Sequence, residues 1–372
     1  MNSILRFNGF FYFRRQKTSI LYNTMKNSLQ KTQLLIALCF TVLLFSQKRV
    51  EDFTISLPDQ KLEKSYYKTI TLIDNRIDTT SLGIVQKGAF NAKAKVVPTT
   101  SLPNQFQNLL QRINGADAED GTIVMHLKQL YFAEVTGAFS EHGYCYFQAY
   151  LFAKNDDGTY SYLDTIDSVI DHSSMDVTKA TMKKGSEMVS NFISKNISKK
   201  APETNHYTLE DIRNFDDIEK QKLSLYSLEV LKDGLYKDYN SFKNQIPDKE
   251  VVNPKFYGKS SKIIKIYEMM DGKEKEIKKN DTYALVYQGI PYIYVPVENL
   301  FTKAEKRDGD FYFIGKVKGT AKTDNVITAA VFFGIVGGLI ASGPTAYPFE
   351  LKVDYMNGAL IPIKEVEKAE KL

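Results

Sequence analysis

The sequence predicts an α+β fold, with an N-terminal β-α-β-β-β-α sandwich followed by a β-rich antiparallel domain that carries an apolar, Gly-rich helical insertion. Three observations predict it. Between residues 62 and 200, runs of alternating apolar and polar residues mark strands, and two stretches with a helical period mark helices. From 233 to 365, short alternating runs recur between Xaa-Gly turns. Inside that second block, residues 326–343 contain no charged side chain.

Taken in order, Tyr66 to Asp74 alternates as a strand. Phe106, Leu109, Leu110 and Ile113 then fall on one face of a helix that Asn114-Gly115 ends. Thr122 to Val135 alternates again, as do Tyr144 to Ala153 and Thr159 to Ile170, the last two joined through Asn155-Asp156-Asp157-Gly158 as a hairpin. Met175 to Ile197 closes the block as a helix with Met188, Val189, Phe192, Ile193 and Ile197 in one apolar stripe. The two helices are expected on one face of an antiparallel sheet. Residues 201–232 read as a linker that becomes helical from Leu209, and the domain boundary falls there. The second block offers strands at Ile263–Glu268, Thr282–Tyr287, Pro291–Val297, Phe311–Val317, Tyr347–Val353 and Ala359–Ile363. Its turns fall at Asp271-Gly272, Gln288-Gly289, Asp308-Gly309 and Asn357-Gly358.

Length and composition bound the class. The chain has 372 residues, 43% of them hydrophobic, which allows two domains each with a core. Two Cys and four His rule out a disulfide scaffold or a Cys-rich metal module. The net charge of +5 is unevenly placed. Residues 1–46 hold six basic side chains and no acidic one, leaving 43 basic against 44 acidic residues, a net of −1, for the remainder. Nucleic acid is therefore not an expected partner. Met25 reads as the true start, residues 1–24 as a misassigned upstream extension, and 25–46 as a signal peptide. Lys26 and Lys31 precede an apolar run of twelve residues, Leu34 to Phe45, and Ser46 allows cleavage before Gln47 or Lys48. Leu38 before Cys39 does not fit a lipid-attachment site. The other reading is an uncleaved anchor, and both export the body of the protein to the periplasm, the outer envelope or the medium.

Several segments resemble known groups. The ending Phe45-Ser46-Gln47 resembles signal peptides of Bacteroidota. The element order of the first block, with Asp74-Asn75-Arg76 and Leu82-Gly83 after the first strand, resembles bacterial envelope lipoproteins of the ABC-transport auxiliary type, though the lipobox cysteine is missing. Asp233-Gly234-Leu235-Tyr236, Tyr239, Phe242-Lys243-Asn244 and Pro247 are similar to a recurrent start among secreted Bacteroidota proteins of unknown function. Tyr347 to Ile363 is similar to the closing hairpin of the same group. These resemblances imply an envelope location and no particular active site.

No catalytic motif is present: there is no G-x-S-x-G, H-E-x-x-H or Walker A sequence, and no G-x-G-x-x-G between strand and helix. No cofactor, metal ligand or catalytic residue is expected. Asp164, Asp167, Asp171 and His172 lie close in sequence, but strand alternation scatters them over both faces and a solvated edge accounts for them. Cys145, in a strand, reads as a buried inert thiol, with His142 three residues before it. Lys273 to Lys279 reads as a solvated loop of mixed charge. Two features point to binding. In 326–343, Ala330, Gly334, Gly338 and Ser342 recur every fourth residue as a small-residue stripe for close contact with a membrane or partner. The flanking strands are expected to pair, so the segment is not a simple membrane span. Tyr283 and Tyr287 share one strand face, and Tyr292 and Tyr294 the next, as a ligand-gripping surface. The expectation is a non-enzymatic envelope protein acting by binding or assembly, as scaffold or transport accessory. The alternatives are a soluble glycan- or peptide-binding module and, behind it, a hydrolase with an unrecognised carboxylate site.

Overall fold

The computed structural model describes residues 50–59, 61–87, 92–136, 141–173, 177–203, 206–319 and 345–366. The leader readings (1–24 and 25–46) and the apolar segment 326–343 lie outside the described residues.

The first half runs through β1 (Val50–Phe53), β2 (Tyr67–Asp74), β3 (Gly83–Lys87), β4 (Ala92–Pro98), α1 (Leu102–Ile113), β5 (Gly121–Thr136), β6 (Glu141–Lys154), β7 (Tyr160–Ser173) and α2 (Val177–Ile197). The α+β class holds, with three strands added to the expected order: β1, β3 and β4. The sheet is mixed where an antiparallel one was expected. β2 and β3 both run parallel to β5 and share one of its edges end to end, β2 against Gly121 to Leu127 and β3 against Phe132 and Ala133. The cause is the return path: a chain that leaves β2 and comes back through α1 re-enters the sheet in the direction it left. β5, β6 and β7 form the expected antiparallel meander.

The helical layer seals one face. Phe106, Leu109, Leu110 and Ile113 of α1, and Val189, Phe192, Ile193 and Ile197 of α2, pack on Cys145, Phe147, Ala149 and Leu151 of β6. α2 can approach this closely because Gly185 has no side chain; a Cβ there would lie 2.6 Å from Cys145 Sγ and 2.7 Å from the Phe132 ring. Cys145 is a free, wholly buried thiol. Burial pushes its pKa far up, which leaves it inert.

The Asp74-x-Arg76 and Leu82-Gly83 pattern has a structural explanation. The Arg76 guanidinium grips both Asp74 carboxylate oxygens at 2.8 and 2.7 Å and donates to the Ser81 carbonyl at 2.8 Å, closing the loop from β2 to β3. Gly83 sits at φ +113°, and a Cβ would stand 1.9 Å from the Phe132 carbonyl oxygen. Only glycine fits where β3 turns in beside β5.

The second half begins with β8 (His206–Tyr207) and three short helices, α3 (Leu209–Arg213), α4 (Phe215–Gln221) and α5 (Ser224–Ser227). Helicity from Leu209 was expected, but the backbone breaks at Asn214 (ψ 20°) and turns extended at Leu223 (ψ 128°). There follow β9 (Gly234–Tyr236), α6 (Tyr239–Lys243), β10 (Val252–Phe256), β11 (Lys262–Met270), β12 (Lys273–Glu276), β13 (Ala284–Tyr287), β14 (Ile290–Val295), β15 (Leu300–Lys303), β16 (Glu305–Arg307), β17 (Asp310–Gly319), β18 (Thr345–Val353) and β19 (Leu360–Glu365). Lys273 to Glu276 is thus a fully exposed strand, not a loop. Asp271-Gly272, Gln288-Gly289 and Asp308-Gly309 all place both residues at positive φ, the hairpin geometry that matches strand twist.

β8 pairs with β7 in the sheet of the first half, and the other strands form two antiparallel sheets, one in the order β10-β11-β15-β14-β13-β9 with β12 beside β11, and the other β16-β17-β18-β19. Ala284, Val286, Ile293 and Val295 of the first pack against Phe311, Phe313, Phe349, Leu351 and Val353 of the second, with Tyr226, Tyr239 and Phe242 filling the edge. The chain from Val50 onward is one compact unit holding both principal cores. β17 and β18 pair from Tyr312↔Lys352 out to Gly319↔Thr345, beyond the reach of their flanking strands β16 and β19.

Gly83→Ala should destabilise the protein by about 3 kcal/mol or more, since both the backbone conformation and the Phe132 carbonyl exclude a methyl group. Urea unfolding reads this as a lower midpoint at unchanged slope; an unchanged midpoint would contradict the account of the Leu82-Gly83 turn.

Candidate functional site

The two faces of β6 differ in chemistry. Cys145, Phe147, Ala149 and Leu151 face the helices, whereas Tyr144, Tyr146, Gln148, Tyr150 and Phe152 face the second half of the chain. On neighbouring β5, His126 and Lys128 lie on the same side as Val124. Against this face pack α4, the loop Asp354–Ala359 between β18 and β19, and Ile361 and Ile363 of β19. The junction between the two cores is therefore lined by polar aromatic and charged residues.

Tyr355 stands at its centre. Its hydroxyl donates to Asp216 Oδ1 at 2.8 Å and shares a 2.6 Å hydrogen bond with the Tyr150 hydroxyl. Its carbonyl accepts from the Tyr239 hydroxyl at 2.7 Å. Lys128 Nζ reaches Asp216 Oδ1 at 3.0 Å and lies 4.0 Å from the Tyr355 ring centre, so one ammonium serves a carboxylate and a π face. Beside this, Asp310 forms ion pairs with two lysines, Lys220 at Oδ1 and Lys352 at Oδ2, each at 2.7 Å. Asp354 Oδ2 accepts from Gln148 Nε2 at 3.0 Å and from the Tyr146 hydroxyl at 3.4 Å. Asn357 donates to both oxygens of Asp167 at 2.9 Å and to the Tyr146 hydroxyl at 2.7 Å. Contributors come from β5, β6, β7, α4, β17, β18 and the 354–359 loop.

The electrostatics follow from this wiring. Burial alone would raise Asp216, but the charge and hydrogen bond of Lys128, with the Tyr355 hydroxyl, hold it below the ordinary carboxylate range. Burial drives Tyr355 far up, reinforced by Asp216. Burial would lower Lys352, yet Asp310 outweighs it and raises it. Asp167 is raised by burial and by the nearby Asp354 charge, against hydrogen bonds from Asn357, Tyr146 and Gln148. His126 is wholly buried, stacked beside Tyr150, and neither ring nitrogen has a hydrogen-bond partner. Burial lowers its pKa below the ordinary 6.5, the Asp216 charge opposing and the Lys128 charge assisting. In this arrangement Lys128, Lys220 and Lys352 meet Asp216 and Asp310, while phenol and amide groups hold Asp354 and Asp167. Its chemical effect is to bind the two cores at a fixed angle. Among the described residues no group of three or more His, Cys, Asp or Glu could hold a metal ion.

The residues singled out in the sequence are placed elsewhere. Asp164 turns to α2 and pairs with Lys195 and Lys199 at 3.1 and 3.2 Å. His172 faces Lys184 at 2.9 Å on that side, while Asp171 meets His142 at 3.2 Å on the other. The expected scatter over both faces is seen. Asp167 also stays exposed, as the solvated-edge reading expects, with Asn357 of the 354–359 loop hydrogen-bonded to it. The tyrosine face is corrected. Tyr283, Tyr292 and Tyr294 are buried, and they divide between two clusters. Tyr283 precedes β13, so strand alternation does not extend to it; its hydroxyl donates to the Gly358 carbonyl at 2.8 Å inside the second core. Tyr287 is half-buried beside Tyr292 and Tyr294 in the other cluster. Ala330, Gly334, Gly338 and Ser342 lie outside the described residues. The junction itself was missed, although the Tyr144-x-Tyr146-x-Gln148-x-Tyr150 alternation, opposite a purely apolar face, signalled a polar packing surface.

No family model and no curated protein matches the chain. Several solved structures are similar over part of it. One is protein XCC0632 from Xanthomonas campestris, described as a DUF330 family model, at 8% identity and a TM-score of 0.26, covering 39% of this chain and 93% of that one. Another is an uncharacterized protein at 9% identity and a TM-score of 0.22, covering 40% of this chain and 97% of its own. At these scores neither informs the reading of the site.

Two outcomes follow from the junction. Asp310→Ala takes the shared carboxylate from the buried Lys220, which keeps Asp217 at 3.5 Å, and from the half-buried Lys352, and should cost about 3 kcal/mol, while the triple change Lys220→Met, Asp310→Leu, Lys352→Met should recover most of that loss. Urea unfolding of the three proteins checks this, and a mild effect of Asp310→Ala would contradict it. For His126, the folded chain keeps the ring neutral while the unfolded chain takes up a proton near 6.5. The stability this supplies is complete above pH 6.5 and is lost as pH falls below it. His126→Phe should flatten that part of the stability–pH curve; superimposable curves would contradict it.

Proposed function

We propose that this is an exported cell-envelope protein that acts by binding and assembly, as a scaffold or transport accessory, and not by catalysis. The observation that carries the reading is the β17–β18 ribbon. Its strands stay paired to Gly319↔Thr345, so the connection that contains 326–343 leaves and returns at one point, beyond the edge of its sheet. Eighteen consecutive residues without a charge, bearing Ala330, Gly334, Gly338 and Ser342 at fourfold spacing, belong to that connection. Such a segment suits contact with a membrane or an envelope partner. The basic, then apolar, 25–46 stretch supports export, and a junction in which Lys128, Lys220 and Lys352 meet Asp216 and Asp310 supports a structural role for the folded body.

Fractionation of cells making the full chain tests this. The protein should stay with membranes through a high-salt wash, and deletion of 326–343 should release it under that wash while leaving the fold intact by circular dichroism. The mature chain should begin at Gln47 or Lys48 by mass spectrometry. Retention of the deleted protein on membranes through the high-salt wash would overturn the docking role, and recovery of the chain from the cytoplasmic fraction with its leader intact would overturn the export reading.

A further inference from the structure

Charge in the folded body is concentrated on one element. Between Val177 and Lys200 the chain has six lysines and a single acidic residue, Glu187, a net of +5. Since the chain beyond the leader sums to −1, the remainder carries −6. The helix sorts this charge by geometry: its apolar residues face the sheet, and Lys179, Lys183, Glu187, Asn191 and Lys195 recur every fourth residue on the exposed side, with Lys184 beside them. α1, the other helix of the layer, has no acidic residue and contributes Arg112. Past the end of α2, Lys64 and Lys200 stand over the Tyr66 ring, 4.8 and 5.7 Å from its centre.

Acidic neighbours neutralise only part of this. Glu187 lies 3.9 Å from Lys183, and Asp164 is shared by Lys195 and Lys199. Lys184 meets a histidine ring nitrogen instead, and Glu119 acts on Lys64 from a distance. The exposed lysines do not converge on one point; they are spread along the length of the 21-residue helix, about 30 Å. None of the exposed large apolar side chains lies on α1 or α2. A planar spread of positive charge without apolar anchors is complementary to an array of negative headgroups, and holds it by electrostatics without insertion.

We propose that the lysine face of α2 lies against an anionic phospholipid surface. The inference rests on the reading of the protein as one that docks at the envelope, and it adds a second, chemically distinct contact. The apolar segment 326–343 adheres regardless of salt. The lysine face requires anionic lipid and is released by salt, because exposed charges are screened beyond about 10 Å at 0.1 M.

The test is flotation of the full chain with vesicles of phosphatidylcholine alone or mixed with phosphatidylglycerol, at low and high salt. Lys183→Gln, Lys184→Gln, Lys195→Gln is compared with the parent chain, so that any contribution of the leader is common to both. The triple variant should lose on the order of a hundredfold in affinity for phosphatidylglycerol vesicles at low salt, at about fivefold per lysine. It should behave like the parent on phosphatidylcholine. The 326–343 deletion should retain the α2-dependent difference, so failure of the apolar-segment reading and failure of this one are told apart. Equal binding of parent and triple variant to phosphatidylglycerol vesicles overturns the proposal, as does parent binding that ignores lipid charge. Circular dichroism of the triple variant checks that the exposed substitutions leave the fold intact.

Discussion

The Asp216 carboxylate, held by Lys128 from one core and by the Tyr355 hydroxyl from the other, is the contact on which the rest of the architecture depends. Lys128 belongs to β5 and Tyr355 to the loop that joins β18 and β19, while Asp216 lies on the short helix between the two halves. A half-buried carboxylate loses part of its hydration, and here a cation and a phenol replace it. With those contacts made, Tyr150, Tyr239 and the 354–359 loop are fixed by hydrogen bonds to Tyr355. Two hydrophobic cores that would otherwise be joined by a linker become one body.

That rigidity explains how a chain without recognisable catalytic chemistry could work. The β17–β18 ribbon is rooted in the second core by Phe311, Phe313, Phe349 and Leu351, and Asp310, Lys220 and Lys352 tie that core to α4, whose Phe215 packs on Tyr150 and Phe152 of β6. The ribbon and the helical layer of the first half thereby belong to one compact unit. The junction residues that look chemically active in isolation, three lysines and their carboxylates, are spent on that union.

Much of the fold could be read from local pattern. The strands β5, β6 and β7, both helices of the first half and the Asp-Gly and Gln-Gly hairpins are written in periods and turn residues. β3 and β4 escaped because Ala94 and Val96 alternate with Lys93 and Lys95 over too few residues to stand out, and the parallel pairing of β2 with β5 leaves no local trace. The junction was hidden for a different reason. Asp167 and Asp354 are 187 residues apart, and neither carries any sign of the other until the sheets pack. Tyr283 misled because alternation was extended one residue past the start of a strand. Gly83 and Arg76, matched as parts of a pattern, turn out to be required by a close backbone approach and a loop clasp.

The central claim, that the two cores form one cooperative body because of the Asp216 junction, is tested most directly by native-state hydrogen exchange. Amides of β6 in the first core and of β18 in the second should exchange with the same free energy, equal to that of global unfolding. A second core that exchanges at markedly lower free energy than the first, while β6 keeps full protection, would contradict it.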